Sequence, residues 1–90
     1  MTKDNLLYIY NITLDMSNKT HLYNRIKLYR IAAGLSREEL AAKIEVNFQT
    51  IGYLEREEYN PSLELALKIT AVFGVTIEQL FSFEPFPTKF

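Results

Sequence analysis

The side chains best placed to do chemistry lie between Ser36 and Glu58, in the stretch SREELAAKIEVNFQTIGYLEREE. Asn47 suits the N-cap of a helix in which Ile51, Leu54 and Glu55 share the inward side. That arrangement leaves Phe48, Gln49, Thr50 and Tyr53 near the outer, N-terminal end. The chemistry of these groups is recognition. A glutamine amide can pair with adenine N6 and N7, and a phenylalanine ring or threonine methyl can rest on a thymine methyl. Ahead of them, Ser36-Arg37-Glu38-Glu39 has the form of a capping box, and Leu40, Ala41 and Ile44 follow on one helical face. Two helices with a turn of about three or four residues, the second polar-tipped, form the geometry that sets a helix into the DNA major groove. The same spacing fits an ordinary helical hairpin in a small bundle.

Other chemistries find little to build on. His21 is the only histidine and cysteine is absent, so metal and nucleophile–base constellations have little to build on. Glu38, Glu39, Glu57 and Glu58 read as solvated helix faces, and three glycines form no phosphate-cradling loop. The expectation is a non-enzyme with no catalytic residue, metal, cofactor or small-molecule ligand.

The totals agree with a binding module. Ninety residues allow one small domain with a modest core, helped by oligomerisation. An apolar fraction of 48% and a charged fraction of 23% describe an ordinary globular chain. Lack of cysteine fits a reducing cytoplasm. The apolar runs fall far short of the ~18–20 residues that span a bilayer, and Leu6 to Leu14, interrupted by Asn11 and Thr13, is no secretory signal. No membrane association is expected. A net charge of −1 lacks the basic signature usual in DNA-binding domains. The cations are nevertheless concentrated: Arg25, Lys27, Arg37, Lys43 and Arg56 lie in or beside the candidate motif. Any DNA binding would rest on that local patch and depend on salt.

Around this motif the chain divides into three parts. Residues 1–21 form an N-terminal extension in which Tyr8, Tyr10, Ile12 and Leu14 alternate, as in a β-strand or an extended arm. Residues 22–83 form a helical domain. Leu22, Ile26, Tyr29 and Ala33 place a first helix at about 22–33, stopped by Gly34. Further helices fall at about 37–44, 48–56 and 63–73, the last opened by Ser62 and ended by Gly74. Thr76-Ile77-Glu78-Gln79 is a second capping box, opening a short fifth helix that carries Ile77, Leu80 and Phe81. Residues 84–90 form a hydrophobic tail. The expected fold class is all-α, five helices around one core. Ile77, Leu80, Phe81, Phe83 and Phe86 make more apolar surface than a small monomer should expose, so this region is expected to hold a dimer interface.

From about Asn24 to Glu84 the chain resembles the lambda-repressor-like (Cro/repressor, or XRE-type) helix-turn-helix regulators of bacteria and phages, in particular small stand-alone members. The segments carrying the likeness are NRIKLYRIAAGLSREELAAKIEVNFQTIGYLE and NPSLELALKITAVFGVTIEQLF. The resemblance implies a cytoplasmic homodimer, a repressor that binds double-stranded DNA at a palindromic operator. It implies that Asn47, Phe48, Gln49, Thr50 and Tyr53 face bases. Phe48 departs from relatives, which commonly carry a polar or basic residue there. Arg37 stands where relatives usually place a glutamine that meets phosphate, and Ser36, Arg56, Lys27 and Arg25 are the further phosphate candidates. Arg30 and Glu55 resemble a pair that ties the first helix to the third. An antitoxin, or an adaptor that binds protein through the same domain, is the alternative.

Overall fold

The computed structural model describes residues 21–87. The order of elements is β1 (Tyr23–Asn24), α1 (Ile26–Ala32), α2 (Arg37–Ile44), α3 (Phe48–Glu55), α4 (Leu63–Phe73), α5 (Ile77–Leu80) and β2 (Phe81–Ser82). Four of the helices start at side-chain caps. Ser36 and Thr76 each form a reciprocal capping box, and Asn47 and Ser62 accept from the amides of Gln49 and Leu65. Left-handed residues turn the chain between helices: Glu45 ends α2 at φ 60° and Gly74 ends α4 at φ 66°. One seven-residue cluster of fully buried side chains holds the bundle: Ile26, Leu40, Ile44, Ile51, Leu54, Ile69 and Leu80. It draws on α1 to α5, so burial of one residue depends on all five.

The first helix is shorter than its periodicity predicts. Leu22 precedes it, and Tyr23 and Asn24 pair antiparallel with Ser82 and Phe81. Asn24 Oδ1 then accepts from the Ile26 amide at 3.0 Å, which starts the helix there. The fifth helix likewise stops at Leu80, because Phe81 leaves helical geometry at φ −129°, ψ 148° to enter β2. A two-stranded ladder therefore joins the two ends of an otherwise helical domain. α3 ends at Glu55, with Arg56 as its C-cap. The expected Leu6–Leu14 strand lies outside the described residues.

Candidate nucleic-acid interface

α2 and α3 meet through Leu40, Ala41, Ile44, Ile51 and Leu54, all buried. Burying those five residues forces the opposite face of α3 outward. Phe48 is 48% and Tyr53 50% exposed, Gln49 is exposed, and Thr50 is half-buried. Of these four predicted base-facing residues, Phe48, Gln49 and Tyr53 line one surface, and Thr50 is not among its lining residues. Asn47 sits beside them, but its Oδ1 accepts the Gln49 amide at 2.8 Å, so its carboxamide oxygen serves the helix start.

A cleft of about 550 Å³ opens between this surface and the start of α2, lined by Ser36, Arg37, Phe48, Gln49, Tyr53 and Arg56 among others. Ser36 Oγ accepts the Glu39 amide at 3.0 Å while Glu39 Oε1 accepts the Ser36 amide at 2.8 Å. The Ser36 hydroxyl hydrogen is left to donate outward. The backbone hydrogen bond from Ser36 is the main reason the Glu39 carboxyl is held below its ordinary pKa, with the Ser36 hydroxyl next. Glu39 therefore keeps a negative charge at the N-terminus of α2, where the helix dipole favours it.

The floor of the cleft is an ion-pair network. Arg30 Nε lies 2.6 Å from Glu55 Oε2, and Arg37 Nε lies 3.1 Å from Glu55 Oε1. Arg30 Nη2 adds a 3.3 Å bond to Oε1, and its Nη1 donates to the Leu35 carbonyl at 2.9 Å. Glu55 is 1% exposed, Arg30 12% and Arg37 39%. The carboxylate is desolvated, and two guanidiniums with three N–H donors compensate it. The expected Arg30–Glu55 pair is present; the third member, Arg37, was foreseen only as a phosphate ligand. No local pattern announces it, because α2 and α3 must be packed before Arg37 reaches Glu55. Arg37 can still face solvent, but it does so from a fixed base.

The other cations separate. Arg56 belongs to the same cleft: its Nε is 3.2 Å from Glu58 Oε2 and its guanidinium sits 5.2 Å from the Tyr53 ring centroid. Arg25 and Lys27 line a different groove along α1, where the Arg25 guanidinium lies 4.2 Å from the centre of the Phe86 ring. A cation stacked on the tail is a poorer phosphate ligand than an open one.

Behind α3 lies an anchor that sequence reasoning missed. Asn24 Nδ2 donates to the Leu54 carbonyl at 2.8 Å. Glu57 accepts from the Asn24 amide at 2.9 Å and contacts His21 Nε2 at 2.8 Å. Glu57 itself has φ 62°, uncommon for a residue with a side chain. The same three residues thus tie β1 to the end of the exposed helix.

The dimer residues need correction. Leu80 is 0% and Phe81 8% exposed within a single chain, because both fill its own core, so neither offers surface to a second copy. Phe86 is drawn onto Arg25. Ile77 and Phe83 remain at the surface, on an apolar groove of about 490 Å³ shared with Leu22 and Leu63. Leu63 is 72% and Leu67 50% exposed beside it. Among the described residues no group of three His, Cys, Asp or Glu could hold a metal, and no helix is long and apolar enough to cross a membrane.

Two buried-faced helices at a tight turn, the second presenting an open polar first turn, correspond to a family pattern. Residues 26–80 match the family model described as helix-turn-helix, HTH_3. The chain belongs to the XRE-type helix-turn-helix regulator family. It is 50% identical over 60 residues to an uncharacterized HTH-type transcriptional regulator of Archaeoglobus fulgidus, covering 67% of this chain and 86% of that one. A second such regulator, from Methanocaldococcus jannaschii, is 48% identical over 61 residues, covering 68% and 92%. A solved structure from Bacteroides fragilis superposes with a TM-score of 0.63 at 24% identity, over 68% of this chain and 98% of its own, a likeness of fold alone. The matched segment runs from the start of α1 to the end of α5, so the tail after Leu80 and residues 1–25 lie outside it.

Proposed function

We propose that the protein is a cytoplasmic, sequence-specific transcriptional repressor that binds a palindromic operator as a homodimer, and that it has no enzymatic activity. The observation that carries this reading is the placement of Phe48, Gln49 and Tyr53, all exposed on α3, beside the Arg37 cleft. Gln49 reads an adenine edge, Phe48 and Thr50 meet thymine methyls, and Tyr53 borders them. Arg37, Ser36 and Arg56 grip the backbone and set the register. Arg25 and Lys27 contribute from the α1 side, where they are less directly aligned.

One recognition helix on a chain of net charge −1 supplies little specificity alone. Two, about 34 Å apart, read both halves of a palindrome from one side of the duplex. The groove of Ile77, Phe83 and Leu63 is the surface we assign to the second copy. Repression follows from occupying promoter DNA.

Selection of bound duplexes from a random DNA pool, with solution mass measured on the same sample, tests the whole reading. A palindromic consensus and a dimer mass are expected. Recovery of no consensus, with a stable hetero-complex isolated from the native host, would instead identify the antitoxin or adaptor.

A further inference from the structure

Gly52 stands in the middle of α3, where glycine is the poorest choice after proline. Its backbone gives no reason for it, because the glycines with positive φ are Gly34 and Gly74. The reason lies in the space beside it. A Cβ at residue 52 would stand 3.0 Å from Arg56 Nη1 and 3.7 Å from both Cζ and Nη2 of the same side chain. Those three Arg56 atoms are the nearest neighbours such a Cβ would meet. The missing side chain is therefore a slot along the recognition helix, and the Arg56 guanidinium lies in it.

The slot has a direction. Gly52 and Arg56 line the same cleft as Arg37, Ser36 and Gln49. Tyr53 flanks the guanidinium at 5.2 Å, and Glu58 holds its Nε at 3.2 Å. Arg37 enters from the other wall, its Nε held by Glu55. Two guanidiniums, each with its Nε on a carboxylate, thus line one cleft. That geometry suits an oxyanion bound by two planar forks.

We propose that Gly52 is a positioning residue for DNA binding. Its absent side chain seats Arg56 so that Arg56 and Arg37 close on the same backbone phosphate. This rests on the DNA-binding reading and adds to it a role for a residue that has no side chain.

The test is a double-mutant cycle with Gly52→Ala and Arg56→Ala, measured on the full chain. A methyl at residue 52 meets first the flexible end of Arg56, which can shift, so folding is retained and the better helix former raises Tm by about 4 °C. Affinity for random-sequence duplex DNA at low salt is expected to fall about fivefold, and the log–log salt slope to flatten by up to about 0.9 per subunit. In the Arg56→Ala background Gly52→Ala should cost no further affinity. A protein that melts higher yet binds more weakly separates positioning from structural support. Equal binding by Gly52→Ala and the wild type overturns the inference while leaving DNA binding intact. So does an equal loss in both backgrounds. Failure of the wild type itself to retain duplex DNA overturns the functional reading, and the inference with it.

Discussion

At its first turn α3 carries Phe48 and Gln49, both exposed, with the Gln49 amide bonded to the Asn47 cap. At its last turn the Leu54 carbonyl accepts both the Glu57 amide at 3.0 Å and Asn24 Nδ2 at 2.8 Å, and Glu55 is enclosed by two arginines. One end is open and the other is saturated. The difference teaches how a short helix can offer adaptable side chains without being adaptable itself. Eight residues are too few to hold helical geometry in water unaided. Contacts from α1, α2 and β1 at the closed end therefore hold the open end still, and fixing it in advance lowers the ordering cost of binding.

The comparison breaks most severely at Glu55. Glu55→Ala leaves two guanidiniums facing a vacated, buried site and should destabilise the domain by about 3–5 kcal/mol. Thermal unfolding by circular dichroism measures it. A loss below 1 kcal/mol would mean that solvent compensates the arginines and that the closed end is not closed.

Gln49→Ala acts at the open end and should do the reverse. Stability should change by less than about 0.5 kcal/mol, while affinity for the selected operator falls by about 1–3 kcal/mol and preference relaxes at one base pair per half-site. Arg37→Ala should weaken operator and random DNA by similar factors, flattening the salt dependence by about one phosphate per subunit. Both variants must first be shown folded and dimeric. An unchanged operator-to-random ratio in Gln49→Ala, with a lowered ratio in Arg37→Ala, would reverse the two roles.

Asn24→Ala tests the link between β1 and α3. It strips the Leu54 carbonyl of one donor and the Ile26 amide of its acceptor, an expected cost of about 1–3 kcal/mol. Hydrogen exchange should rise at the last turn of α3 and the first of α1 before it rises in α4. Uniform acceleration would show that Asn24 serves the whole fold.

The smallest effect concerns Glu39, whose folded pKa lies below its ordinary value of 4.5. A lowered carboxyl pKa stabilises the fold at pH values above the unfolded pKa, and that contribution is lost as pH falls through the folded value. Glu39→Ala should therefore melt lower than wild type at pH 7, and the gap should narrow below pH ~4. A gap that stays constant with pH would assign the effect to helix propensity and not to the capping carboxylate.

Local chemistry was enough to place α2 and α4, residues 37–44 and 63–73, to the residue. Their limits are written in caps, left-handed stops and apolar spacing, all within a few residues of where they act. The exposed trio on α3 was legible for the same reason: once Ile51 and Leu54 face inward, Gln49 and Tyr53 fall opposite them by the helical period and Phe48 lies alongside at the open end.

Tertiary packing decided the rest. Leu22 and Phe81 fit a helical period as well as they fit any other, and only the pairing of Tyr23–Asn24 with Phe81–Ser82 removes the neighbouring residues from helices. Leu80 looked like a docking residue until the fold supplied walls on every side. Arg37 became a partner of Glu55, and Arg25 of Phe86, through distances that no spacing encodes. Each of these contacts joins segments far apart in the chain. The energy that selects them arises only when the core has closed, so it leaves no trace in the local pattern of residues.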